Sequence, residues 1–491
     1  MQGIPMAEKV SALDRYPAYR TDIGIEVHVQ LNTASKIFCS CSNTQTDQPN
    51  THICQVCCGH PGVLPVLNKE VIVSAIKVGL ATNSEISHRS LFARKHYFYP
   101  DLPKNYQITQ DKLPICTEGH VMITKEDGTQ KKIRLIRIHI EEDAGKNIHA
   151  AYTNESFVDF NRTGTPLLEI VSYPDIENAQ EAKAYLKALR ALVQSLGIST
   201  GNMEEGSFRA DTNVSVRKKD AATLGTRCEL KNINSFKFIG DAVEYEIERQ
   251  INALEDGKKI IQQTLLWDTK TKTTAPMRSK EEAADYRYFP DPDLPIIEVE
   301  KDFIEAIKKN LPELPAAKAH RLQKDYGLTS YEIEVLTDDQ EFVTYFEQCM
   351  QYTKSTQLIN WLLRDVMGYL KEHKLSLDQC KITPEKLAAL VTLIDNGTIN
   401  TAAAQTVFAA CAKDGSDPLT VVTEKGLQQI GDVAQLEAII IDIIAANPHM
   451  VAQYKSGKDK LFGFFVGQAM QKTSGKGDPK ILSDLLKKHL S

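Results

Sequence analysis

Apolar side chains alternate with polar ones over residues 24–31, near the start of the chain. A period of two residues is typical of a strand with one buried face. Glu26 and His28 both fall on the polar face, so the sequence predicts a half-buried strand that presents an acid and an imidazole together. The apolar face consists of Ile25, Val27, Val29 and Leu31.

A second alternating segment lies at 130–142, after a predicted hairpin turn at Asp127 and Gly128. Its polar face includes Glu141, whereas Glu142 falls in register with the isoleucines. Glu141 is therefore the predicted inward-facing acid of a polar site, and a solvated strand end is the alternative. The isoleucines expected to share the apolar face are Ile136, Ile138 and Ile140.

Two further predicted strands, within 207–217 and 226–236, also combine an apolar face with a charged one. In an antiparallel sheet such a face is often simply exposed to water. Four such strands, linked by aromatic and glycine-containing loops, favour the walls of a single cleft. The charged side chains of these two strands include Arg209, Asp211, Arg227, Glu229 and Lys231.

Apolar residues at three- and four-residue spacing predict helices at about 69–82, 177–197 and 237–255. The proline-rich run at 290–292 cannot continue a helix, so it marks the end of a first domain. From about residue 300 the pattern is helical throughout. We therefore expect an α+β protein. Its expected parts are an N-terminal extension (1–20), a domain with an antiparallel sheet (21–298), a helical domain (299–409) and a helical tail (410–491).

The chain has 491 residues and a formal net charge of -6. This charge excludes a protein that is basic over its whole surface and coats nucleic acid, but it allows a local basic surface. Residues 1–14 lack the apolar core of a signal peptide. The apolar run 438–446 is short and is interrupted by Asp442, so we expect no membrane role. The lysine-rich end, 455–488, suits a phosphate backbone, and a solvated helix face is the alternative.

Five of the ten cysteines are clustered shortly after the first predicted strand. Cys39 and Cys41 form one close pair, and Cys54 and Cys57 form another, which together can place four thiolates tetrahedrally around zinc. Because four thiolates leave no position for water, the predicted site is structural. Cys58 is not expected to be a ligand. The alternative is a set of buried or redox-active thiols in a reducing compartment.

The segment 92–110 mixes aromatic side chains, lysines and prolines, which is typical of a loop laid over a site. Lys95 and Lys104 would usually be solvated. Their aromatic neighbours instead favour partial burial, where the ammonium groups would face an anionic ligand or a metal-bound phosphate. These neighbours are Tyr97, Phe98, Tyr99 and Tyr106.

Two acids and an imidazole from separate strands are suitable ligands for a hard divalent cation such as magnesium. The predicted ligands are Glu26, His28 and Glu141. A cation there would gather nucleotide phosphates and offset charge on a transferring phosphoryl group. Further positive charge would come from Lys95, Lys104 and Arg209.

Several common catalytic motifs are absent from the sequence. Without a GxxxxGK[ST] or GxGxxG loop, ATP use does not follow from a nucleotide motif. Without a GxSxG elbow there is no marked nucleophile for opening an amide, so ammonia for any nitrogen chemistry must come from elsewhere.

Two other classes of protein compete with a magnesium-dependent enzyme. A zinc deaminase needs His-x-Glu and Pro-Cys-x-x-Cys sharing one metal. Here the order is Glu26-Val27-His28, and Ile53 precedes Cys54. A non-catalytic zinc-containing RNA-binding scaffold explains the cysteines and the basic end, but it does not explain the acid-lined strands.

Long motifs cover most of residues 22–295. They are GIEVHVQL, the CxC and CxxC pairs, FARKHYFYPDLPKNYQITQ, HIEEDAGK, DFNRTGTPLLEIV, MEEGSFRADTNVSVR, GTRCELKNINSF and MRSKEEAADYRYFPDPDLP. Together they resemble the B-subunit family (GatB) of the aspartyl/glutamyl-tRNA amidotransferases, part of the GatCAB complex. FFVGQAMQKTSGKGDPKIL resembles the family's YqeY-like tail. Gln55 and Cys58 depart from the family pattern. Neither is a predicted zinc ligand, so the zinc assignment is hardly affected.

The resemblance implies a cradle-like catalytic domain with a zinc knuckle, an all-helical domain and a YqeY-like helical tail. It implies a carbon–nitrogen ligase that converts Glu-tRNA(Gln) or Asp-tRNA(Asn) into the amide. The A subunit, an amidase, would release ammonia from glutamine, and ATP with Mg²⁺ would activate the aminoacyl carboxylate. The implied partners are the amidase, the small C subunit of the heterotrimer and the misacylated tRNA, in the cytoplasm. The cognate glutamyl- or aspartyl-tRNA synthetase is a further candidate partner.

The resemblance also implies roles for individual residues. The magnesium site would use Glu26, His28 and Glu141, and structural Zn²⁺ would be bound by the four paired cysteines. Lys95, Lys104 and Thr165 would lie at the polar mouth of an ammonia channel. The further catalytic candidates are Arg209 and Asp211.

Overall fold

The computed structural model describes residues 11–150, 154–277, 286–473 and 475–490. The chain divides into two compact units, Met1–Ala317 and Lys318–Ser491. Residues 1–10 of the expected N-terminal extension and residues 278–285 of the motif MRSKEEAADYRYFPDPDLP lie outside the described residues. Within the described ranges, no helix has both the length and the apolar character needed to cross a membrane.

The N-terminal unit combines strands with a few helices. In chain order, its strands are β1 (Tyr19–Gln30), β2 (Glu85–Ile86), β3 (Arg89–Ser90), β4 (Ala93–His96), β5 (Tyr106–Thr109), β6 (Cys116–Thr117), β7 (His120–Thr124), β8 (Gln130–Glu142), β9 (Lys146–His149), β10 (Ser156–Asp159), β11 (Pro166–Ser172), β12 (Phe208–Lys218), β13 (Cys228–Lys231), β14 (Thr264–Asp268), β15 (Thr273–Pro276), β16 (Phe289–Pro290) and β17 (Ile297–Glu298). Its helices are α1 (Ala12–Arg15), α2 (Lys69–Ala81), α3 (Ala179–Ser195), α4 (Phe236–Glu255) and α5 (Lys301–Lys309).

The main sheet has ten strands in the order β15-β14-β13-β12-β1-β11-β8-β6-β2, with β7 paired to β8. The central strand β1 runs antiparallel to both β11 and β12, whereas β13 and β14 are parallel. The predicted alternation in β1 is confirmed, because Ile25, Val27 and Val29 are fully buried. Together with the apolar sides of α2, α3 and α4 they form one core. The polar side chains of β1 consequently point to the opposite face of the sheet.

The predicted helices of this unit are confirmed by α2, α3 and α4. Asn178 caps α3 by accepting a hydrogen bond from the backbone N–H of Glu181 at 2.8 Å. Gly197 follows α3 with a φ of +67°, a conformation that ends a helix at little cost for glycine.

The isoleucine register predicted for β8 is wrong at one position. Ile138 and Ile140 are fully buried, but Ile136 is 37% exposed. The pairing with β11 explains this, because Val171 lies opposite Arg137 while Ser172 lies opposite Leu135. Ile136 is thus the extra residue of a β-bulge, which shifts the alternation of the strand by one position.

The predicted loop at 92–110 is also corrected in part. Its two ends form β4 and β5, which pair with each other, and β4 also pairs with β16 in a small sheet. The pairing leaves only residues 97–105 as an irregular connection. The irregular mixture of aromatic and basic residues did not predict these two strands, which have four residues each.

The second unit is helical, as expected. In chain order, its helices and the one that leads into it are α6 (Pro315–Tyr326), α7 (Ser330–Thr337), α8 (Gln340–Tyr352), α9 (Leu358–Asn360), a π-helical turn (Trp361–Val366), α10 (Met367–His373), a 3₁₀ turn (Leu377–Gln379), α11 (Pro384–Asp395), α12 (Thr401–Asp414), α13 (Pro418–Glu424), α14 (Val433–Ala446), α15 (Pro448–Lys455), α16 (Leu461–Lys472) and α17 (Pro479–Leu490). The α+β prediction for the whole chain is therefore confirmed.

The hydrophobic cores place the domain boundaries differently from the sequence pattern. The expected boundary at 409/410 falls inside α12, and Val407 and Cys411 of that helix pack in the same core. A separate core begins at Leu436 and extends to the last helix. At the other end, Ala12 and Tyr19 pack into the core of the N-terminal unit, so the described part of the extension is anchored to it.

Candidate active site and cysteine cluster

Four titratable side chains meet on the polar face of the main sheet. Strand pairing sets Glu169 of β11 directly between His28 of β1 and His139 of β8. Glu141 lies two residues further along β8, diagonally across from Glu169. The His28 Nε2 atom is 3.3 Å from a carboxylate oxygen of Glu141 and 3.3 Å from one of Glu169. His139 Nε2 lies 3.2 Å from Glu169 and 3.7 Å from Glu141.

The two carboxylates of this group are held in the ionised form. Burial alone would raise the pKa of Glu141, but hydrogen bonds from His139 and His28 outweigh it and lower the pKa to about 2. Burial likewise opposes a charge on His28, yet its hydrogen bonds to Glu141 and Glu169 raise its pKa to about 10. Ionised carboxylates are the form that binds a hard divalent cation.

The predicted magnesium ligands are brought together in part. One ligand atom each from His28, Glu141 and Glu169 lies within 4.8 Å of the others, which suits a single cation. Glu26 is not a member of this group. Its cross-strand neighbours are Val171 and Asp211, so it sits one pleat away from the acid that pairs with His28.

Sequence reasoning missed Glu169 and His139. The signal for Glu169 was present, because it falls between Leu168 and Ile170, which are both fully buried. One polar residue in an apolar strand is weak evidence when the neighbouring strand is unknown. His139 shared the predicted polar face of β8, but only the strand register identifies it as the outer partner of Glu169.

Glu26 belongs to a neighbouring polar group on the same face. It accepts a hydrogen bond from Asn213 at 3.1 Å. Burial raises its pKa, and the nearby carboxylates of Glu169, Glu229 and Asp211 raise it further. The predicted residue Asp211 is 2.7 Å from the ammonium group of Lys231, which also lies 3.1 Å from Glu229. The charged faces of β1, β12 and β13 therefore do line one continuous surface.

Arg209 and Thr165 both contact Asp143, which lies beside the same face of the sheet. An Arg209 Nη atom lies 2.8 Å from an Asp143 carboxylate oxygen, which also accepts a hydrogen bond from Gln30 at 2.8 Å. The backbone N–H of Asp143 donates to the Thr165 carbonyl at 2.8 Å. Since Arg209 is the cross-strand neighbour of His28, this group extends the polar face beyond the histidine.

Lys104 is largely buried, with 10% of its side chain exposed, in line with its aromatic surroundings. Its ammonium group donates to Glu142, which also accepts a hydrogen bond from the backbone N–H of Ile108 at 2.9 Å. Lys95 does not take part in this ion pair, and its ammonium group lies 4.8 Å from the ring centre of Tyr286. Lys104 thus forms a buried ion pair, whereas Lys95 makes an aromatic contact.

The four paired cysteines converge as predicted. The sulfur atoms of Cys39, Cys41, Cys54 and Cys57 all lie within 4.8 Å of one another, and Cys58 is outside this group. A hydrogen bond from Cys39 is the main cause that lowers the pKa of Cys57, to about 4. Four mutually close sulfurs with a stabilised thiolate fit a tetrahedral zinc site. His28 belongs to the other group, which argues against the shared metal of a deaminase.

The fold with these two groups of side chains belongs to a known class of catalytic domain, which the comparison with family models identifies. Residues 21–305 match the family model described as the GatB/GatE catalytic domain. Residues 344–490 match the model described as the GatB domain, which begins well before the tail expected at 410.

Curated proteins give the same assignment over nearly the whole chain. The B subunit of aspartyl/glutamyl-tRNA(Asn/Gln) amidotransferase from Geotalea daltonii is 53% identical, covering 96% of this chain and 99% of its own length. The proteins of the same name from Geotalea uraniireducens and Myxococcus xanthus are 52% and 49% identical, covering 96% and 95% of this chain and 99% and 98% of their own lengths. The chain belongs to the GatB family, and the resemblance of its motifs to that family is confirmed.

Proposed function

We propose that this chain activates the side-chain carboxylate of Glu-tRNA(Gln) or Asp-tRNA(Asn) with ATP and then amidates it with ammonia. The observation that carries the proposal is the group of His28, Glu141 and Glu169 on an extended polar sheet face, in a member of the GatB family. A carboxylate resists ammonia because its charge repels nucleophiles and oxide is a poor leaving group. Phosphorylation supplies a better leaving group.

The reaction has two steps. A carboxylate oxygen attacks the γ-phosphorus of ATP, the bond to ADP breaks, and an acyl phosphate forms. Ammonia then attacks the carbonyl carbon, and inorganic phosphate leaves as the amide forms. The ammonia nitrogen must lose a proton, and the half-buried Glu26 carboxylate, whose pKa is raised, is suited to accept it.

Magnesium would be held by His28, Glu141 and Glu169, with Glu26 beside them, and it would offset the charge on the phosphates of ATP. The carboxylate oxygens of this group fit such an ion, and His28 would have to release the proton that Glu141 and Glu169 stabilise before its nitrogen could bind it. Arg209 and Lys231, on the same face, would orient anionic groups of the substrates. Asp211 positions Lys231 through their ion pair.

Ammonia would arrive from the partner amidase, in a heterotrimer completed by the small C subunit. A cavity of about 20 Å³ lies between the cysteine cluster and the Lys104–Glu142 pair, and its volume suits one small molecule the size of water or ammonia. Gly164, the residue before Thr165, lines this cavity. We assign Lys104 and Thr165 to the ammonia route, and the role of Lys95 in it stays a prediction, because its ammonium group contacts the ring of Tyr286. A cytoplasmic location accords with ten cysteines that form no disulfide in the described part of the chain.

The test is amidation by the reconstituted complex on both misacylated tRNAs. With ATP and ammonium chloride in place of glutamine, we expect ADP and the amidated tRNA to form in equal amounts. ATP-independent tRNA binding without ADP formation would instead identify a non-catalytic scaffold. The two tRNAs, compared at equal concentration, reveal which substrate the complex prefers.

The second unit is proposed to bind tRNA through its lysine-rich helical end. The lysines that are exposed there are Lys455, Lys458, Lys460, Lys472, Lys480, Lys487 and Lys488. Each contact between a lysine and a phosphate releases counterions, so binding weakens as salt rises.

Exchanging Lys458, Lys460 and Lys480 together for glutamine is therefore expected to weaken tRNA binding. The slope of log Kd against log salt should fall by about 1 for each lysine that contacts a phosphate. Amidation at saturating tRNA should be unchanged. A matched control replaces three exposed lysines of the N-terminal unit, Lys258, Lys259 and Lys270. Equal loss of affinity in both triple variants would contradict a binding surface in the second unit.

A further inference from the structure

Lys36 is a fully buried lysine beside the cysteine cluster, with a relative exposure of 0%. Lysine is almost never buried without a partner for its charge. The ammonium nitrogen lies 3.8 Å from the sulfur of Cys57 and 3.4 Å from the carbonyl oxygen of Phe160. Among the described residues, no carboxylate lies within ion-pair distance of it, so the thiolates are its available anionic partner.

The charge of the proposed metal site requires compensation. Zinc with four thiolates carries a net charge of about -2, and burying such a charge is costly unless cations or N–H groups face it. The backbone N–H of Cys54 donates to Cys57 at 3.1 Å, which supplies a partial charge. Lys104 lines a cavity next to the cluster, but its charge is already balanced by Glu142. Lys36 places its ammonium group at the sulfur atom of Cys57.

Lys36 also connects the cluster to the strand that carries Glu169. Its backbone N–H donates to the Cys41 carbonyl at 3.0 Å, and the N–H of Ile37 donates to Gly164 at 2.9 Å. Gly164 has a φ of +79°, and a side chain there would meet the stem of Lys36 at 3.6 Å. Gly164 stands two residues before β11. The lysine therefore fills the space between the knuckle and the start of that strand.

We propose that Lys36 is the fixed counter-cation of the cysteine metal site, and that it strengthens metal binding by balancing the thiolate charge. The inference rests on the proposed zinc site. Lys36 does not ligate the metal itself, so its loss should leave the tetrahedral sulfur geometry intact while the metal dissociates more readily. Substituting a residue that contacts a metal ligand commonly lowers metal affinity by about 10–100-fold.

The experiment compares the full chain with its Lys36→Met variant, which keeps most of the side-chain stem but removes the charge. Zinc affinity is measured by competition with a chromogenic chelator, and the ligand geometry by the absorption spectrum of the cobalt-substituted protein. We expect zinc affinity to fall by about 10–100-fold with an unchanged tetrathiolate cobalt spectrum. The control is Lys112→Met, which alters an exposed lysine and should leave zinc affinity unchanged.

Each outcome separates this inference from the zinc assignment. Tight metal binding by the natural chain with equal affinity in Lys36→Met would overturn the role of Lys36 alone. Failure of the natural chain to bind zinc or cobalt stoichiometrically would reject the zinc site. If Lys36→Met does not fold, Lys36→Arg and Lys36→Gln are compared with the natural chain. Zinc affinity that is retained by the arginine variant, which keeps the charge, and reduced in the glutamine variant supports the inference, and equal affinity in both variants overturns it.

Discussion

Exchanging Glu141 for glutamine is expected to lower ATP-dependent amidation by about 100-fold or more, with tRNA binding largely retained. The substitution removes one of the two ionised carboxylates that face His28 and leaves the cation site with a weaker donor. It also removes the negative charge that lies 3.7 Å from His139. The measurement is ADP and amide formation with free ammonia, which bypasses the partner amidase, together with tRNA binding at fixed salt.

Companion variants separate the structural assignment from the sequence-based one. Glu169→Gln should cost about as much as Glu141→Gln, because both carboxylates contact His28. Glu26→Gln should slow the chemistry with a smaller effect on the magnesium requirement. Glu205→Gln, at an exposed site, is the control and should retain full activity. A normal magnesium dependence in Glu169→Gln, with a weakened one in Glu26→Gln, would favour the original trio of ligands.

Replacing Lys104 by methionine is expected to reduce the free energy of unfolding by about 3–5 kcal/mol. The reason is that Glu142, which is 2% exposed, would be left as a buried charge without its cation. Adding Glu142→Gln to this variant should restore most of the lost stability, since the uncompensated charge is then removed. Chemical denaturation of the two variants and the natural chain measures both effects.

The same variants test the ammonia route independently of stability. Glutamine-dependent amidation should remain impaired in the stabilised double variant, whereas amidation with added ammonium chloride should be closer to normal. If the double variant recovers glutamine-dependent activity together with its stability, Lys104 and Glu142 serve the fold alone. The comparison requires the complete complex, because glutamine is hydrolysed by the partner.

Local patterns predicted the parts of the site that depend on one stretch of chain. The alternation around His28 and Glu141 identified both polar faces, and the spacing of the cysteines identified all four members of their cluster. Neither pattern contains the pairing of β1 with β11, which alone makes Glu169 the partner of His28. Register between distant strands depends on packing and turns, so the proximity of Glu169 to His28 could not be read from either strand separately.

The same limit explains the structural corrections. The bulge at Ile136 arises from the register shift between β8 and β11, and the isoleucine repeat contains no local pattern that predicts it. The boundary expected at 410 was the start of the last predicted helical segment. Burial instead follows the apolar stripe of α12, which continues through that position.

The central position of β1 also has a consequence for synthesis. This strand is synthesised before both of its neighbours, β11 and β12, which lie far downstream in the sequence. Until translation has passed Lys218, its apolar side has no complete sheet to join, and such long-range pairing is slow to form. Until that point the nascent chain carries an apolar strand without its partners, which is a state prone to aggregation.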